Sequence, residues 1–314
     1  MDFFSLVNIT AALVLLLLVG ILANKIGVID SVASKMLSKL IIRIGQPLLV
    51  LSAILKVEYS KENLLLGLET FFIGIVVYAV MAFIAYFACK GIRNLDDRKV
   101  TEAAMILGNV GFFGFPLLEA ALGPQGLFMA VFFNISYNIV CWTWGISIYA
   151  RNRSDIKLNI RKILINNGTV PGLIAVLVYA LRIPLPEFLT TSISYLSGIC
   201  TPISMLVTGA LIATIAPKRL LTNGKVYYSA LFRLIVLPLV ICFLMKLCGF
   251  DHMHLSFYAC ICAVPVAANV TMFSELYDTS ASYAAHNVGL SSLLSILSLP
   301  LVMFLAEKIA ALPF

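Results

Sequence analysis

Residues 107–123 read LGNVGFFGFPLLEAALG, an apolar run too long for a loop and too heavily punctuated for a regular helix. Gly108, Gly111, Gly114 and Pro116 interrupt it. A membrane helix satisfies its own backbone, and this one cannot do so through the Gly111 to Pro116 region, because proline has no N–H and glycine carries no bias toward helix. The break is therefore expected there. Irregular backbone at membrane depth is tolerated only where protein or a wet cavity receives the freed groups. The stretch is either a misplaced loop or a binding site, and the rest of the chain decides.

The chain has 314 residues, 61% hydrophobic and 12% charged, with a mean hydropathy of +1.02. That composition belongs to an integral membrane protein. The net charge of +7 does not imply nucleic acid, because membrane proteins gather Lys and Arg in cytoplasmic loops. Seven cysteines lie in or beside apolar runs and read as small buried hydrophobes. Leu6 to Ala23 has no basic residue before it, so it reads as a retained first span rather than a signal peptide.

Stretches of about 20 apolar residues cross a bilayer. Ten are expected, at Ser5 to Ala23, Met36 to Leu55, Leu64 to Ala88, Val100 to Leu122 and Gly126 to Ala150, then Gly168 to Ile183, Ile193 to Ile215, Val226 to Leu247, Leu255 to Tyr277 and Tyr283 to Ala311. Loops after the odd-numbered spans hold fifteen of the 22 Lys and Arg residues, including the basic loop from Arg151 to Lys162, against five on the other side. This bias places both termini outside a plasma or inner membrane, in a multi-pass protein.

Sliding the chain against itself by about half its length sets Pro47 opposite Pro202 and Glu119 over Glu275. Residues 1–150 and 151–314 then form two five-span halves. An odd number of spans per half forces opposite orientations, which is the inverted-repeat plan of secondary transporters. The ninth span, like the fourth, is interrupted, by Pro265 in ICAVPVAANVTMFSELYD. Paired interruptions in matching halves are the best sequence pointer to a transporter's binding site.

On GNVGFFGFPLLEAALG and VPVAANVTMFSELY the chain resembles the auxin efflux carrier family, within the larger group that includes bile acid:sodium symporters. The resemblance covers essentially the whole chain. It implies an all-α fold of ten spans in two inverted five-helix repeats, with broken crossover helices in the fourth and ninth spans. It further implies a scaffold from spans one, two, six and seven, a moving transport domain from the others, and a homodimer through the scaffold. Members carry organic anions, auxin in plants and carboxylates such as malate or malonate in bacteria. Asn109 falls on the crossover asparagine and Pro265 on the ninth-span proline. Plant carriers have proline before that asparagine, where this chain has Gly108, and the long central loop of many plant members is missing, so a compact microbial permease is the nearer likeness.

With the second half-helices starting near Pro116 and Val266, two helix N-termini would face one point and favour a carboxylate through their free N–H groups. The carbonyl ends of the first halves could equally hold Na⁺. Substrate-binding residues are expected at Asn109, Gly114, Pro116, Pro265 and Asn269, with Asn134 and Asn138 on one face of the fifth span and Gln46 and Thr201 on the scaffold side. Coupling residues are expected among Glu119, Glu275 and His286, because ionisable groups inside spans are functional by default. Lys35, Lys39, Arg43 and Arg233 read as snorkelling cations. No metal site, resident cofactor or nucleic-acid partner is expected, while Na⁺ and H⁺ both stand open as coupling ions. The function expected is secondary transport of a small organic anion by an elevator movement, with a sodium-coupled symporter of an amphipathic anion as its rival. An intramembrane enzyme would need a catalytic pair, and no HExxH motif, Asp dyad or Ser-His arrangement occurs. A membrane sensor would carry an output domain, and no loop is long enough for one.

Overall fold

A computed structural model describes residues 3–151, 166, 168–214 and 224–313. Most of the basic loop after Arg151, with Arg153, Lys157, Arg161 and Lys162, lies outside the described residues, as do Lys218 and Arg219. The described chain is helical throughout, with no strand. Its helices are α1 (Phe3–Lys25), α2 (Ser31–Leu40), α3 (Gln46–Leu55), α4 (Lys61–Ala88), α5 (Leu95–Ile106), α6 (Phe115–Val140) and α7 (Ile146–Ala150). They continue with α8 (Thr169–Ala180), α9 (Glu187–Gly198), α10 (Cys200–Ala213), α11 (Gly224–Leu231), α12 (Leu237–Leu247), α13 (His252–Cys262), α14 (Asn269–Leu276) and α15 (Ala281–Ala310). Six continuous stretches, Ser31–Leu55, Lys61–Gly91, Val110–Ala150, Glu187–Ala213, Gly224–Leu247 and Ala281–Ala310, are long and apolar enough to cross a membrane, and Ala11–Lys25 and Thr169–Ala180 are shorter apolar helices. Large apolar side chains such as Phe72, Phe83, Phe188, Tyr195 and Leu297 stand exposed on the outside, as a lipid-facing surface requires.

Local chemistry sets the helix starts. Asp30, Ser60, Asn94 and Asp251 each cap a helix by accepting a backbone N–H three residues on, at 2.7–2.9 Å. Three prolines that look like helix breakers are absorbed instead. Pro47, Pro116 and Pro238 each sit in the first turn of an α-helix that follows a π-turn, at Ile41–Gly45, Val110–Gly114 and Phe232–Val236 respectively. A widened turn makes room for the proline ring against the carbonyl four residues back. This corrects the expected break at Gly111 to Pro116: the helix is interrupted earlier, where Leu107 is extended (φ −88°, ψ 98°) and Asn109 is non-helical (φ −79°, ψ 65°). The second half begins at Val110. Further on, Gly123 takes φ 64° just before Pro124. The 41 residues of Val110–Ala150 would make a straight rod of about 60 Å, twice a bilayer's apolar thickness, and the turn at Gly123 breaks that rod into a short arm of about 20 Å and a longer one of about 40 Å.

The segment after Gly123 forms the middle of the molecule. Phe128, Phe132 and Phe133 are fully buried; Phe128 packs on Tyr179 and Phe132, and Phe133 on Tyr78, Phe257 and Tyr258, at centroid distances of 5.2–6.0 Å. Ser136 donates to the Phe71 carbonyl at 2.7 Å and Tyr258 to the Thr70 carbonyl at 3.0 Å, joining α6 and α13 to α4. All seven cysteines are free; six are buried, as small apolar groups are expected to be, while Cys248 departs from that expectation and is exposed.

Helices α1 and α10 meet through glycine. A β-carbon on Gly20 would overlap the Leu206 carbonyl, and one on Gly209 the Leu17 carbonyl, so the two backbones touch directly, as small residues allow in membranes. Gly209→Val should therefore cost about 1–3 kcal/mol through overpacking, read as a lower melting midpoint in detergent. Gly198→Ala, with open space at its β-carbon, is the control expected to change little.

Candidate functional site

Two interruptions in helical backbone meet face to face. Gly108 and Val266 form an isolated antiparallel bridge. The Asn109 N–H donates to the Pro265 carbonyl at 2.8 Å, and the Ala267 N–H to the Leu107 carbonyl at 2.9 Å. α15 completes the arrangement, its Ser291 hydroxyl accepting the Val266 N–H at 3.0 Å. Each break thus satisfies the other, which is how non-helical backbone survives where water is scarce.

The ends that converge here differ in sign. α5 and the stretch after α13 bring carbonyl ends, while Val110–Gly114 and α14 begin with N–H ends. Arg233 takes the carbonyl side, donating to Val264 (2.9 Å), Ile106 (3.2 Å) and Met105 (3.4 Å). At 1% exposure it is no snorkelling residue. The expectation failed because Arg233 lies near the middle of its span, far from the headgroups that its stem would have to reach. Gly108 is required beside it, since a β-carbon there would overlap the guanidinium.

On the N–H side lies a cavity of about 350 Å³, lined by Gln46, Asn109, Asn134, Tyr137, Asn138 and Asn269, with Phe112, Trp142 and Met272 as apolar wall. Five of the residues expected to bind substrate thus share one wall. Asn109 accepts the Phe112 N–H through Oδ1 at 3.1 Å, which caps the π-turn and turns its amide N–H₂ away from that bond. Asn269 Nδ2 donates to the Tyr137 hydroxyl at 3.1 Å and approaches the Cys141 sulfur at 3.3 Å. Asn138 Nδ2 donates to the Asn134 carbonyl at 2.7 Å. These bonds orient the amides while leaving polar capacity over the cavity.

Asn109 also lines a second cavity, of about 400 Å³, together with Ser204, Thr208, Thr271, Glu275 and Ser292. That cavity shares Ser38, Ile42, Leu211 and Thr214 with an open recess of about 550 Å³ that carries Lys35, Lys39 and Arg43. The three cations, exposed and one helical turn apart, therefore stand at the mouth of a path that ends at Asn109. The hydroxyls of Ser38, Ser204, Thr208, Thr271 and Ser292 escape sequence reading, because Ser and Thr are common in any membrane helix.

Other expected residues lie elsewhere. Gly114 packs against Ile261, Pro265 is buried and contributes its carbonyl, and Pro116 faces a small void beside Gln46 and Ser204. Thr201 lines none of these cavities and accepts from Ser204 through its carbonyl at 2.9 Å. Glu119 pairs with Lys56 at 2.6 Å, both partly exposed, and lines neither cavity. His286 is half-buried on a face of α15 other than the one whose Ala285, Val288, Gly289 and Ser292 line the second cavity. His252 pairs with Glu307 at 2.8 Å, and among the described residues no His, Cys, Asp and Glu cluster could hold a metal.

The cavity wall can be tested without touching a polar side chain. A β-carbon on Gly111 would strike the Gln46 amide, the movable end of a flexible chain. Gly111→Ala should therefore leave the fold intact, with circular dichroism unchanged, and narrow the cavity so that ligands bind more weakly in a thermal-shift titration.

A family model described as membrane transport protein matches residues 6–303. The chain is 23% identical over 310 residues to an uncharacterized transporter of Methanocaldococcus jannaschii, covering 94% of this chain and 96% of that one. It is 20% identical over 304 residues to an uncharacterized transporter of Methanothermobacter thermautotrophicus, covering 96% and 98%. With apolar helices spanning its length and a family match over nearly all of it, the chain belongs to the auxin efflux carrier family and is a multi-pass membrane transporter, not an enzyme.

Proposed function

We propose that this transporter carries a small organic anion, a mono- or dicarboxylate, bound on the N–H side of the crossing. The observation that supports this reading is the wall of the 350 Å³ cavity, where asparagine and glutamine amides gather beside two helix N-termini and, among the described residues, no carboxylate lines the space. Amide N–H groups and helix N-termini recognise anions without a buried counter-ion. Lys35, Lys39 and Arg43 at the mouth would raise the local anion concentration.

The same reading takes the chain as ten spans in two inverted halves, residues 1–150 and 151–314, with both termini outside and the cavities open to the cytoplasm. α1 and α10 then belong to a scaffold, through which two copies pair, and the bundle around the crossing slides against it as an elevator. Glu275, at the wall of the second cavity, is the acid placed to exchange a proton during that cycle, whereas Glu119 in its pair with Lys56 has a structural role.

A thermal-shift screen of carboxylates on purified protein tests the class. A true ligand at 100 times its Kd should stabilise the fold by about 2.7 kcal/mol, and no response across the screen would exclude carboxylates. Asn109→Ala should abolish that stabilisation and the matching uptake into liposomes while the variant stays folded. Unchanged carboxylate transport in the variant would sink the site assignment.

A further inference from the structure

Arg233 is the largest side chain buried to near completion among the described residues. Its burial should be costly, because a charge taken out of water needs a partner of opposite sign. No carboxylate pairs with it among the described residues. Its partners are main-chain carbonyls, of Met105 and Ile106 at the end of α5 and of Val264 just past α13. Each helix end carries about half a negative charge, so two ends together match one guanidinium. The planar fork lets one side chain reach both helices at once.

Freed carbonyls at the C-terminal ends of broken helices are also what coordinates a coupling Na⁺ in secondary transporters. Here the guanidinium already holds the carbonyl groups such an ion would need, at 2.9–3.4 Å. Gly108, whose β-carbon would overlap the guanidinium, provides the space. Na⁺ does not fit these residues as they stand.

We infer that Arg233 is a built-in cation at the crossing, replacing a coupling Na⁺ with a tethered positive charge, so that transport by this chain is independent of Na⁺. This rests on the anion-carrier reading. Arg233 acts as a positioning residue: it closes the carbonyl side of the crossing and adds positive potential behind the Asn109 backbone, without lining the cavity.

The test compares Na⁺ with choline at constant ionic strength, using purified wild type, Arg233→Gln and Arg233→Lys, with malonate as the anion probe. Wild type should melt at the same temperature in both salts, and its malonate uptake into liposomes should not change when choline replaces Na⁺. Arg233→Gln frees the carbonyls, so malonate uptake should fall about tenfold or more, and Na⁺ should partly restore it and raise the melting midpoint. Arg233→Lys keeps the charge and should stay indifferent to Na⁺. A saturable Na⁺ stabilisation of wild type would overturn the inference. So would an Arg233→Gln variant that folds but shows no Na⁺ response, since that is a structural prop alone. If Arg233→Gln does not fold, Gly108→Ala displaces the guanidinium instead of deleting it, and the same Na⁺ response is expected. The salt comparison on wild type needs no carboxylate, so failure of every carboxylate to bind would sink the anion reading and leave this inference to be decided separately.

Discussion

Two backbone hydrogen bonds, from Asn109 to Pro265 and from Ala267 to Leu107, are the constraint on which the rest depends. An interrupted helix in a bilayer leaves N–H and C=O groups that neither water nor lipid can satisfy, each costing several kcal/mol. Neither interruption is viable alone. Placed against each other they close their own account, with Ser291 and Arg233 taking the groups left over. The arrangement also sorts charge, collecting carbonyl ends on one side of the bridge and N–H ends on the other. A polar cavity on the N–H side and a buried cation on the carbonyl side follow from that sorting.

The surrounding helices hold the bridge rigid by different means on different sides. Aromatic packing of Phe128, Phe132 and Phe133 fixes the segment after Gly123. Hydroxyl contacts tie α15 to its neighbours, with Thr101 and Tyr283 at 2.9 Å and Ser229 bonded to Asn287. Further toward the basic end, Arg151 forms two bonds of 2.8 and 2.9 Å to the fully buried Glu102, where a lone carboxylate would be untenable. By contrast, α1 and α10 touch through Gly20 and Gly209 with no side chain between them.

Composition and apolar runs made the membrane class legible, and the paired interruptions expected at Gly111 to Pro116 in the fourth span and at Pro265 in the ninth pointed to the crossing. Asn109, Asn134, Asn138, Asn269 and Gln46 could be named because isolated amides in apolar runs are conspicuous. The exact break was not legible. Pro116 looks decisive in one dimension, but a π-turn accommodates it, and the backbone is interrupted instead at Leu107 to Asn109, where only glycine hints at it. Arg233 was misread for a related reason: a cation in an apolar run has two outcomes, and choosing between them requires knowing that two carbonyl ends lie within its reach. Glu119 and Glu275 occupy matching sequence positions yet one is held by Lys56, a partner 63 residues away that no local pattern reveals.

The makeup of the cavity wall has a consequence for titration. Among its described lining residues the only ionisable side chain is the phenol of Tyr137, a group that ordinarily stays neutral up to about pH 10. The remaining polar groups are amides and main-chain N–H, which keep one protonation state throughout the physiological range. The wall therefore offers the same hydrogen bonds at pH 5 as at pH 8, and a weak acid entering it would bind according to its own ionisation rather than the protein's.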